Sequence, residues 1–161
     1  MTKPRLLASV LSLSAMGFIS LALHEGYTDK AIIPIKDDVP TLGFGQTKDV
    51  KMGDSTTPIK ALIRFKSEIG EYESAIKRCA NVPMTQSEYD NYVNMTYNIG
   101  AAAFCRSTMA RELTAGNYKA ACDAILLYKF ASGKDCSKPE NKCMGLWTRR
   151  LESHKICIGE L

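Results

Sequence analysis

Cysteine is missing from the first 78 residues of this 161-residue chain, histidine occurs twice and tryptophan once. No C-x2-C pair exists, and His24 and His154 lack ligand spacing, so the pattern argues against a zinc centre; neither metal nor cofactor is expected. A large charge excess is also lacking. The net charge is +4, of which Lys3 and Arg5 supply two units, too little to argue for nucleic acid. No internal repeat or low-complexity tract occurs, which removes solenoids and disordered linkers from consideration. The length is that of one domain, with enough chain to bury a core.

What is present is unevenly placed. Cys79, Cys105, Cys122, Cys136, Cys143 and Cys157 all lie in the second half. An even count behind an apolar N-terminus reads as a disulfide framework formed in an oxidising compartment, the periplasm or the cell exterior. Six cysteines allow 15 pairings, among which spacing does not choose.

The N-terminus begins with Lys3 and Arg5 and continues from Leu6 to Leu23 through 18 residues without a charge, the length at which a membrane-spanning helix becomes feasible. Eight of those positions are alanine, glycine or serine, so the span is weak. The basic start places the N-terminus on the cytoplasmic side and the remainder outside. Ser20-Leu21-Ala22 resembles a cleavage site, the alternative being an ordinary signal peptide. Cleavage there would leave Glu25 close to a new N-terminus without a helix to hold it. The reading preferred is an uncleaved anchor, residues 1–23, weak enough to leave the bilayer, ahead of a domain spanning residues 24–161.

Residues 27–47 alternate β-branched and apolar runs with Pro34, Pro40, Gly43 and Gly45, predicting a small irregular hairpin or three-stranded sheet. From residue 56 the chain reads helical. Thr57-Pro58 is a start signal, with Ile59, Leu62, Ile63, Ile69 and Ile76 at roughly helical spacing. Thr85 and Glu88 have capping-box spacing for a helix stopping at Gly100, and Asn117 is placed to cap the helix of "YKAACDAILLYKF". Residues 131–143 predict a loop closed by Cys136 and Cys143. A last helix carries Leu146, Trp147, Leu151 and Ile156, with Trp147 expected in the core. A small sheet followed by helices is an α+β arrangement, with an active site expected between sheet and helical lobe.

Glu25 follows the apolar run directly, and Asp37, Asp38 and Thr41 lie around the predicted hairpin. Two carboxylates in unlike environments are what glycosidic cleavage needs: one protonated to donate to the leaving oxygen, one ionised to manage water or developing positive charge. A glutamate emerging from an apolar helix suits the first role, because desolvation disfavours its charged form. Read from spacing alone, a Glu at a helix end and an Asp-Asp in a turn are more often solvated punctuation than catalytic groups.

"HEGY" followed by "PTLGFGQT" resembles the E-G…T-[IVL]-G-[FYI]-G signature of phage lysozymes of glycoside hydrolase family 24. "YNIGAAAFCRSTMARELTAGNYKAACDAILLY" is similar to the family's N-[VIM]-G helix junction and the segment after it, and "GLWTRRLESHKIC" to its C-terminal G-L-x-x-R-R stretch. With the weak anchor, the chain is most similar to the signal-anchor-release endolysins of lambdoid phages. The resemblance implies a lysozyme-like α+β fold and a monomeric muramidase hydrolysing the β-1,4 bond between N-acetylmuramic acid and N-acetylglucosamine in peptidoglycan. It implies export by the host secretion machinery, tethering to the inner membrane facing the periplasm, and later release. Glu25 matches the general acid and Thr41 the threonine beside the nucleophilic water. The family's aspartate position falls here on Pro34 or Ile35, and the spacing from Glu25 to Thr41 is one residue longer than the family's. The role therefore passes to Asp38 or Asp37, with Asp38 chosen and Asp29 third. Asn98 and Gly100 are expected at a helix end bordering the cleft, Arg149 and Arg150 as structural or solvated, and His24 as an exposed neighbour of Glu25. The resemblance also implies pairing of Cys122 with Cys157, which leaves Cys136 with Cys143 and Cys79 with Cys105. The displaced aspartate keeps a second reading in view, an inactive peptidoglycan-binding protein on the same fold.

Overall fold

The computed structural model describes residues 4–34 and 39–159. Among the described residues, α-helices and three two-stranded antiparallel sheets make it α+β. It divides into two compact units, Ser14–Glu71 and Met1–Leu13 with Tyr72–Leu161.

The uncharged N-terminal run does not form one helix. Leu6–Leu7 (β1) pairs with Pro83–Met84 (β4), Ala8–Val10 is a 3-10 turn, and the α-helix Ala15–Glu25 (α1) follows. No described helix is long and apolar enough to cross a membrane. Residues 5–13 are instead held by the larger unit. Arg5 donates to both oxygens of Glu88, at 3.2 and 2.6 Å, and stacks 3.8 Å above the Tyr118 ring. The Ala8 amide donates to the Val82 carbonyl, the Ser9 amide to Asn81, the Leu13 amide to Glu73, and Gln86 donates to the Ser12 carbonyl. Ala8 and Leu11 are buried.

The rest of that unit is built on local signals. Gln86–Ile99 (α3) opens with a complete Thr85–Glu88 capping box, and Gly100 receives its C-terminus. α3 carries Tyr89, Tyr92, Val93 and Met95 into a core shared with Phe104 of Ala101–Cys105 (α4) and Met109 and Leu113 of Thr108–Thr114 (α5). Tyr118–Asp123 (α6) is shorter than the sequence suggests, because Ala124–Leu127 tightens into a 3-10 turn in which Ala124 and Ile125 are buried. Asn117 stands at the N-cap but does not cap; its side-chain amide donates to Glu112 instead. The loop after residue 129 holds the hairpin Phe130–Ala131 (β5) and Lys134–Asp135 (β6). Lys129 and Ser137 both bind Asp135, lowering its pKa to about 2. Met144–Ile158 (α7) closes the chain. Trp147 is half-buried rather than core, since the buried positions of α7 are Arg150 and Cys157.

The disulfides are Cys79–Cys105, Cys122–Cys157 and Cys136–Cys143. They close loops of 26, 35 and 7 residues, all within the larger unit.

The Ser14–Glu71 unit contains α1, the strands Thr28–Ile32 (β2) and Thr41–Gly43 (β3), and the first part of Pro58–Cys79 (α2). Ala31, Leu42 and Val50 form a cluster under the sheet, and α2 buries Ala61, Phe65 and Ile69. Of the residues at helical spacing in the sequence, Ile69 and Ile76 are buried, while Ile59, Leu62 and Ile63 are exposed.

Candidate active site

Glu25 owes its place to both ends of α1. Ser14 caps the start, its hydroxyl accepting the Gly17 amide at 3.0 Å, and Phe18 packs against Phe65 of α2 at 5.3 Å between ring centroids. The helix stops at Gly26, whose φ of 72° with ψ near 180° is a conformation open in practice to glycine alone. Glu25, the last helical residue, is half-buried, and His24 beside it is exposed. Glu25 thus sits at the C-terminal end of α1, the negative end of the helix macrodipole.

Two residues later the chain enters the sheet. Thr28 pairs with Gly43 and Ile32 with Thr41, with a register shift between them. Thr41, half-buried, opens β3, and its hydroxyl donates to the Val39 carbonyl at 3.3 Å. β3 ends in a tight turn closed by reciprocal bonds between Leu42 and Gln46, at 2.9 and 3.0 Å. Gly43 is required there. Its φ is +65°, and a Cβ would lie 2.2 Å from the Gln46 Oε1 and 3.0 Å from the Ala61 Cβ. Gln46 is 2 % exposed and accepts the Phe44 amide at 3.0 Å, holding the turn from inside. The Phe44 ring packs 5.3 Å from Tyr27 and 5.4 Å from Phe65. A continuous aromatic line, Phe18–Phe65–Phe44–Tyr27, thus ties the helix bearing Glu25 to the turn that follows Thr41.

The structure therefore brings Glu25 and Thr41 into one small unit. Asp37 and Asp38 lie outside the described residues. Asp29, the third carboxylate candidate, is exposed on β2, where its backbone carbonyl accepts the Thr56 amide at 2.9 Å. Among the described residues there is no cluster of histidine, cysteine, aspartate or glutamate fit for a metal ion.

Asn98 and Gly100 do form a helix end, and Arg150 secures it. Arg150 is 5 % exposed, donates from Nε to the Tyr128 carbonyl at 2.8 Å and from its other arm to Asn98 Oδ1. Burial, and secondarily the charge of Arg149, push its pKa down to about 10. Its role is to tie α7 to the end of α3. The sequence reading missed Tyr27, Phe44 and Gln46. A signal for them existed: an aromatic between two turn glycines, with a polar residue directly after, describes a turn whose side chains must be satisfied locally.

The family model for phage lysozymes matches residues 22–153. The endolysin of Salmonella phage P22 is 36% identical over 131 residues, 78% of this chain and 88% of that protein. The SAR-endolysin of Enterobacteria phage P21 is 28% identical over 138 residues, 84% of this chain and 79% of that protein. Among solved structures, a point mutant of P22 lysozyme superposes with a TM-score of 0.76 at 32% identity, covering 92% of this chain and 99% of that one.

Proposed function

Because the chain belongs to the phage lysozyme family, and is thereby an endolysin of the glycoside hydrolase kind, we propose that it is a muramidase cleaving the β-1,4 bond from N-acetylmuramic acid to N-acetylglucosamine in peptidoglycan. Glu25 is the general acid, donating its proton to the glycosidic oxygen as the bond breaks. Asp38 is the ionised partner, stabilising positive charge on the sugar or activating water, and Thr41 orients that water. The observation carrying this reading is the placement of Glu25 at the end of α1, tied by the Phe18–Phe65–Phe44–Tyr27 line to the hairpin of Thr41.

Activity is coupled to the whereabouts of the N-terminal segment. With residues 6–23 in a bilayer, the protein faces the periplasm tethered and inactive, since the helix that ends on Glu25 belongs to the membrane. On release, residues 5–13 occupy their places against Glu73, Asn81, Gln86 and Glu88, and Ala15–Glu25 becomes α1. Support comes from this docking and from the SAR-endolysin relatives. On this reading Arg5 serves twice, as a cytoplasmic-side charge before release and as the partner of Glu88 after it.

The test is turbidity loss of outer-membrane-permeabilised Gram-negative cells. Glu25→Gln should lose at least about a hundredfold in rate, as should Asp38→Asn, while Asp37→Asn stays active. Equal lysis by wild type and Glu25→Gln would overturn the assignment. Wall binding without lysis in every variant, wild type included, would favour the inactive peptidoglycan-binding reading.

A further inference from the structure

The first half of α2 carries apolar residues on two adjoining faces. Ala61, Phe65 and Ile69, at the spacing of one helix face, are buried. Ile59, Leu62 and Ile63 lie on the neighbouring, outward face and are 71%, 36% and 66% exposed. Lys66 continues that outer line one turn on and Lys60 flanks it, both exposed. Residues 58–67 carry Lys60, Arg64 and Lys66 and no acidic residue. The same unit exposes Met16, Ile19 and Leu23 along one line of α1.

An outward stripe of three large aliphatics on a water-facing helix needs a reason, because contiguous exposed apolar surface marks an interaction site. Its chemistry selects the partner. Protein interfaces deplete lysine at their centres, and here Lys60 and Lys66 lie within and beside the stripe. A bilayer surface accepts this arrangement, with aliphatics entering the acyl boundary while lysine stems reach back to anionic headgroups. The surface is a convex helix face rather than a groove, which suits a lipid plane.

We propose that the Ile59–Leu62–Ile63 stripe with Lys60 and Lys66 is a docking surface for an anionic lipid bilayer, by which the folded enzyme rests on a membrane surface. The stripe contains none of the proposed catalytic residues and its occupancy is read without turnover, so failure of the muramidase reading leaves it standing.

The experiment is co-sedimentation of the full, oxidised chain with phosphatidylglycerol or phosphatidylcholine vesicles at low salt. Wild type should bind the anionic vesicles in preference to the neutral ones. Ile59→Ser with Ile63→Ser should weaken that binding at least about tenfold, and Lys60→Gln with Lys66→Gln about twenty-fivefold, at roughly fivefold per lysine. Thermal melting and hydrolysis of purified sacculi serve as folding controls and should match wild type. Variants that bind as well as wild type would overturn the proposal. So would wild type lacking any anionic preference, or self-association in solution that the serine variant abolishes, which would assign the stripe to a second copy.

Discussion

Replacing Arg5 with alanine measures how firmly the N-terminal segment is held. Arg5 is 39% exposed in its side chain and Glu88 only 8%, so the pair stands between two regimes. An exposed ion pair contributes about 0–1 kcal/mol. Removing one partner of a fully buried pair costs about 3–5 kcal/mol. Loss of Arg5 would leave the Glu88 carboxylate in its nearly buried place with the Thr85 amide, at 2.8 Å, and the capping role intact. About 2 kcal/mol is therefore expected for the pair. Stacking over Tyr118 adds about 0.5–1 kcal/mol. The total of about 2.5–3 kcal/mol corresponds to a fall in Tm of about 5–12 °C for a chain of this size. Arg5→Lys, which keeps charge but not the two-pronged geometry, should fall between. Differential scanning calorimetry of the oxidised protein reads all three. A cycle with Glu88→Gln isolates the pair, since Arg5→Ala should cost less in that background. A Tm for Arg5→Ala within about 1 °C of wild type would refute the reasoning and leave the segment without its main anchor in the fold.

Gly70→Ala should stabilise by about 0.5–1 kcal/mol, because a Cβ there meets nothing within 4 Å and the helix gains by losing a glycine; denaturant unfolding checks it. Gly43→Ala should go the other way, costing about 2 kcal/mol or more and reducing lysis, since the new methyl collides with Gln46 and Ala61 at a left-handed φ. Removing the Cys122–Cys157 bond by a double serine substitution opens a 35-residue loop and should cost about 3–4 kcal/mol in chemical denaturation. Asp135 has its pKa lowered to about 2 by Lys129 and Ser137, so its contribution is fully present above the ordinary aspartate value and lost as pH falls towards 2. An NMR titration of its carboxyl carbon should place the midpoint near 2, and a midpoint near the ordinary value would contradict the Lys129 pair.

Signals acting over three or four residues were legible in the sequence. The Thr85–Glu88 box, the stop at Gly100, the Thr57-Pro58 start and the hairpin breakers each act through the nearest hydrogen bonds, so composition alone specifies them. The even cysteine count likewise announced a disulfide framework, and the Glu25-Gly26 junction a helix end. Tertiary structure decided where competing local preferences were equal. Leu6 to Leu23 has the composition of a weak span and equally of a strand, a turn and a short helix; in the fold described, contacts with Asn81, Glu73 and Glu88, some 60 to 83 residues away, hold the second. Asn117 stands at an N-cap position but gives its side-chain amide to Glu112. Arg150, which the sequence leaves as structural or solvated, is buried because Tyr128 and Asn98 both present oxygens to it. Ile59, Leu62 and Ile63 match the core spacing as well as Phe65 and Ile69 do, and periodicity cannot say which side of a doubly apolar helix meets the protein. Local chemistry fixed where elements begin and end, while burial of side chains distant in sequence determined which face turned inward.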